Sequence, residues 1–152
     1  MADLFPEPIH SSRENSPGWK IKDWDTANKL LSYLNTDGMS FACFEKTDGS
    51  YIQCAGSKRR LTAEARIYDS PNCYRHFVFG RGELDGELEK VATTDCEIEV
   101  DTSQVLQMRH VRLIFRPWLE GGSFSDDGCY RQILSAALPR LGINRCRTRR
   151  AS

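Results

Sequence analysis

Long apolar runs are missing from this sequence. The longest, Phe41 to Phe44, falls far short of the roughly 18 to 20 residues that a membrane-spanning helix needs, which excludes one. Net charge is missing too, because 21 Lys and Arg balance 21 Asp and Glu. Overall charge therefore predicts no membrane and no nucleic-acid partner. The opening residues, Met1-Ala-Asp-Leu-Phe-Pro, lack a basic start followed by an apolar stretch, so no secretory signal is expected and the default location is cytoplasmic.

Signatures of chemistry are equally scarce. No Cys-x-x-Cys pair occurs, and His10, His76 and His110 lie far apart, so neither a structural metal nor another cofactor is expected. Six cysteines are present. Without an export signal their thiols should stay reduced, and Cys43, Cys54, Cys73 and Cys96 read as small hydrophobes in strands. There is no phosphate-binding glycine loop, Gly-x-Ser-x-Gly elbow or catalytic-cysteine signature. Gly80-Arg81-Gly82 lacks the third glycine of a nucleotide loop and reads as a turn at a strand end. Cys73 and His76 have opposite strand parity, so they should face opposite sides of a sheet and cannot act as nucleophile and base. No enzymatic activity is expected.

What remains is the composition of an ordinary globular domain. The chain has 152 residues, 39% of them hydrophobic and 28% charged, a size at which one domain buries roughly 70% of its unfolded surface. Residues 1–20, with Pro6, Pro8, Pro17 and several serines, read as an irregular N-terminal arm. Residues 21–142 read as a single α+β domain. Residues 143–152 read as an Arg-rich, mobile C-terminal tail.

Hydrophobic period organises the domain. Ala27, Leu30, Leu31 and Leu34 share one helical face, predicting a helix over about 24–36 with Asp23 or Asp25 as cap. Alternation then predicts an antiparallel meander over 39–80. Thr47-Asp48-Gly49-Ser50 supplies a tight turn, Leu61, Ala63, Ala65 and Ile67 form one face of the next strand, and Cys73 to Phe79 form the last. Gly80 to Thr94 reads as a loop and Cys96 to Val100 as a fifth strand. Val105, Met108, Val111, Phe115 and Trp118 line a helix over about 103–119, near whose end Pro117 is awkward. Tyr130 to Leu141 reads as a shorter helix. The expected fold is a two-layer α+β domain: a meander of four to five strands packed against two or three helices.

The most unusual feature is a charge pattern. From Arg81 to Asp101 there are eight acids against two bases, a local net charge of minus six. Glu83, Asp85, Glu87 and Glu89 alternate in what reads as an extended loop, and Glu97, Glu99 and Asp101 share a strand face. Such a surface attracts a cationic partner. These seven carboxylates are the candidate partner-binding residues.

Gly49 to Gly56, reading GSYIQCAG, the strand residues Tyr74-Arg75-His76-Phe77, and Val111 to Gly121, reading VRLIFRPWLEG, together resemble the small immunity-type proteins of bacterial polymorphic toxin systems. These carry a "sY.Q.aG" hairpin, a "YrhF" strand and a helix ending in "F..yl.G". The resemblance spans about residues 24–122, and Pro117 and the arginine-rich tail depart from it. It implies a non-catalytic cytoplasmic antitoxin that neutralises a cognate toxin, often a nuclease or deaminase, and it transfers no binding residue. Two other readings stay open: a small nucleic-acid-binding protein using the arginines of the tail, and a small enzyme with an unrecognised pocket.

Overall fold

The computed structural model describes residues 4–13, 16–35, 38–124 and 131–135. In chain order the elements are β1 (Leu4–Arg13), β2 (Ser16–Asp23), α1 (Trp24–Leu31), β3 (Phe41–Lys46), β4 (Tyr51–Ser57), β5 (Arg60–Ser70), β6 (Cys73–Gly80), β7 (Leu88–Ala92), β8 (Glu97–Asp101), a 3-10 turn at Thr102–Gln104, α2 (Met108–Leu119) and β9 (Arg131–Ser135). Six strands form one antiparallel sheet in the order β2-β1-β3-β4-β5-β6, and β9 pairs with β6 as a seventh; β7 and β8 form a separate hairpin. The α+β class and the meander from β3 to β6 agree with the sequence reading, but the strand count exceeds four to five.

The β3–β4 turn forms as the sequence dictates. Gly49 has φ +92°, Lys46 N donates to Ser50 O at 2.8 Å, and Asp48 Oδ1 accepts the Ser50 N–H at 2.8 Å. Side chains on one sheet face, including Phe44, Ile52, Leu61, Ala63, Ala65, Phe77 and Phe79, pack against Ala27 and Leu31 of α1 and Val111, Ile114 and Phe115 of α2. Phe44 meets Phe115 edge to face, their centroids 6.0 Å apart. Asp23 caps α1 by accepting from Thr26 N at 2.9 Å, and Arg112 on α2 donates to Asn28 on α1 at 2.8 Å. Ala63 and Ala65 are buried beneath this layer, and their small side chains let a helix lie close over the sheet.

Several expectations are corrected. Residues 4–13 and 16–23 are strands, not an irregular arm. Pro6 and Pro8 fall between the Leu4–Asp23 and Ile9–Ile21 pairs, where the register shifts, and such a bulge tolerates a missing N–H. The first helix ends at Leu31, where Ser32 caps it. Leu88–Ala92 is a strand rather than loop, held by pairing to β8 and by complete burial of Val91. The helix expected over 103–119 is divided, because Leu106 forms a bridge with Leu61 and the helix begins only at Met108. Arg131–Ser135 is a strand on β6 instead of helix, since the open edge of β6 supplies the hydrogen bonds. The remainder of the expected helix to Leu141, and the tail 143–152, lie outside the described residues.

Candidate partner-binding surface

The seven acidic residues do not form one surface. In the β7–β8 hairpin, Val91 opposes Ile98 and Glu89 opposes Val100, while Leu88, Lys90 and Ala92 oppose Asp101, Glu99 and Glu97. Paired residues share a face. Ile98 packs on Phe41, Cys43, Tyr51 and Ala55, so the face carrying Ile98 lies against the main sheet. Lys90, Glu97 and Glu99 occupy the outer face and are exposed, with Lys90 Nζ 3.9 Å from Glu97.

Glu89 belongs to the inner face. Arg60 Nη2 lies 3.1 Å from its carboxylate and also donates to Lys90 O at 2.9 Å. Asp101 is buried, and its two oxygens accept the N–H groups of Asp85 at 3.0 Å, Gly86 at 2.8 Å and Ser103 at 3.0 Å, with the Ser103 hydroxyl at 2.6 Å. The Asp85 N–H first, and then the Ser103 hydroxyl, hold its carboxyl well below the usual carboxylate range. Asp101 thus staples a loop. Asp85 in turn accepts from the Thr102 hydroxyl, so residues 81–87 are tied back onto the turn after β8 and are not extended. Glu83 and Glu87 are exposed on this loop.

The surface that remains is a mixed one. Leu84 is 59% and Leu88 65% exposed; Leu84 stands between Glu83 and Asp85 in sequence, and Leu88 follows Glu87 at the end of the Glu97 and Glu99 face. Sequence reasoning treated the segment as charge alone and missed these leucines, although their placement between the acids was visible. The platform is fixed at both ends. At the β7–β8 turn, Thr94 N donates to Ser40 Oγ at 2.8 Å and the Thr94 hydroxyl to Gly38 O at 2.7 Å. The other end is held by Asp101 and Arg60.

The sheet face opposite the helices, expected to be the more polar one around Thr62, Glu64 and Arg66, carries a polar cluster that also takes in Gln53 and His76. Glu64 accepts from Gln53 Nε2 at 2.8 Å through one oxygen, and its other oxygen is 3.0 Å from His76 Nε2. Arg66 lies 4.0 Å over the Tyr74 ring. Both Glu64 oxygens are engaged within the sheet, which gives the cluster a structural role in joining β4, β5 and β6. Cys73 and His76 have the Cys-x-x-His spacing of many zinc sites. Cys73 is nonetheless exposed while His76 is buried, so the strand turns them to opposite sides. Among the described residues no group of three or more His, Cys, Asp or Glu side chains could hold a metal ion, and no helix is long and apolar enough to cross a membrane.

Cys43, Cys54 and Cys73 are free thiols. Cys96 is disulfide-bonded, which departs from the expectation of a fully reduced set. Compartment decides whether thiols oxidise in general, while the fold decides which of them meet. Cys73 also departs from its reading as a buried hydrophobe. Burial pushes the Cys54 thiol far above its ordinary pKa, with Cys43 adding to the effect, so it is chemically inert.

No protein-family model matches the chain, and no match emerges among curated proteins or solved structures.

Proposed function

We propose that the protein is a non-catalytic inhibitor of the immunity type, which neutralises a cognate toxin by docking the outer face of the β7–β8 hairpin and its preceding loop against a basic cleft. The observation that carries this reading is the anchored hairpin, which presents Glu87, Glu97 and Glu99 together with exposed Leu84 and Leu88. Fixed carboxylates lose little freedom on binding and accelerate encounter with a cationic partner. Two leucines rimmed by acids supply the apolar centre that a charged ring alone lacks. The motif resemblance favours a nuclease or deaminase toxin, whose substrate-binding cleft is basic. Asp101 and Glu89 leave the contact set, because each is committed within the protein.

The test is co-expression with a nuclease or deaminase toxin domain, should one be encoded beside it, scoring survival and binding kinetics. Glu97→Lys with Glu99→Lys should slow association and flatten its loss with salt, because the attraction that salt screens is gone, and Leu84→Ala with Leu88→Ala should speed dissociation. Full protection and unchanged kinetics in both double variants would reject this surface.

A further inference from the structure

A cleft of about 320 Å³ lies between the β4–β5 turn, the end of β6 and the first turn of α2, lined by Arg59, Arg60, Arg81, Arg109, His110 and Glu89, among others. Four arginines from three separate parts of the chain share its lining with one carboxylate. Gathering like charges is unfavourable unless an anion joins them. Three of the four are also held in place by the protein. Arg60 is fixed by Glu89 and Lys90 O. Arg81 donates Nε to Val105 O and Nη2 to Thr102 O, both at 3.0 Å. Arg109 Nε donates to Gln107 Oε1 at 3.0 Å. Each spends one or two of its five N–H donors in this way, and the rest of the fork is available to a ligand.

From this arrangement we propose that the cleft binds a small phosphate-bearing ligand, held by the arginine forks at its oxygens. A phosphate dianion offsets the lining charge better than a carboxylate, and its oxygens match paired guanidinium N–H groups. The positive field is local, because Glu89 lines the cleft and Asp85 and Glu87 are hydrogen-bonded to its lining residue Thr102. A polynucleotide needs a continuous basic track and would be repelled by those acids. His110 reports the field independently. Burial first, then Arg109 and Arg81, lower its pKa. Its Nδ1 accepts the Gln107 N–H at 2.9 Å, which places the neutral ring's proton on Nε2.

The experiment is titration of the purified chain with inorganic phosphate and with pyrophosphate at constant, low ionic strength, followed by amide chemical shifts and calorimetry. Saturable binding is expected, with shifts centred on residues 58–60, 81 and 107–110. Arg59→Gln with Arg109→Gln should weaken it by roughly tenfold or more, while the melting temperature without phosphate stays unchanged. Equal shifts with sodium chloride alone, or undiminished binding by the double variant, would overturn the proposal. Preference for a single-stranded oligonucleotide over pyrophosphate at the same salt would overturn the small-ligand assignment. The toxin-binding reading rests on other side chains, so failure of either proposal is distinguishable from failure of the other.

Discussion

Leu61 and Leu106 exchange both backbone hydrogen bonds, at 2.8 and 2.7 Å, and both side chains are fully buried. This single antiparallel bridge ends one helical period and fixes where α2 begins. Leu106→Ala should therefore cost about 2–5 kcal/mol, the range for emptying a packed leucine site, read as a lowered denaturation midpoint. An unchanged midpoint would mean that the Leu106 side chain contributes nothing to the packing.

Phe115 is wholly buried, whereas Ile67 is only partly so. Phe115→Ala should cost about 3–5 kcal/mol, and Ile67→Ala clearly less, because Ile67 removes less surface from water. Urea unfolding of the two variants side by side checks the ranking.

Gly56 has φ +126°, and a Cβ there would sit 2.1 Å from Arg60 O and 2.9 Å from Val91 Cγ1. Backbone strain alone should cost about 1–3 kcal/mol in Gly56→Ala, and the clash adds to it. Increased hydrogen exchange in β7 of this variant would show that the hairpin has been lifted. Normal stability would refute the close approach.

Asp101 binds its N–H partners only as a carboxylate. Its folded pKa is depressed, so the stabilisation is present above the unfolded value of about 3.9 and is lost as pH falls through the folded one. Asp101→Asn should flatten the acid limb of the stability profile below about pH 4. An acid limb identical to that of the unmodified chain would contradict this.

His110 also titrates with a lowered pKa. The unfolded state takes up a proton first, so its contribution is complete above about pH 6.5 and declines as pH falls toward the folded value. Imidazole chemical shifts should place the His110 midpoint below 6.5, the usual value. A midpoint at or above it would remove the case for a cationic, buried setting.

The meander was legible because Leu61 to Ile67 alternate cleanly and Asp48-Gly49 admits one kind of turn. The α2 face was legible from Met108 onward, since Val111, Phe115 and Trp118 repeat at helical spacing. What escaped was set by partners distant in sequence. Ile9 and Ile21 are the apolar anchors of β1 and β2, and neither sits in a pattern long enough to outweigh three prolines. Leu106 fits a helix locally, and only Leu61 makes it a bridge. For the candidate surface, parity grouped Glu97, Glu99 and Asp101 correctly along the strand. It could not reveal that the Asp85–Gly86 N–H groups fold over the last of them, or that Arg60 draws Glu89 inward.

The place of β1 between β2 and β3 bears on how the chain tolerates shortening. Removing the first thirteen residues would not trim a border strand. It would take out an interior one, orphan β2 from the sheet, and uncover the N–H and C=O row that β3 now shares with Ile9 to Ser12. An uncovered row of that kind recruits strands from other molecules. Aggregation, rather than a smaller working domain, is the outcome of such a truncation.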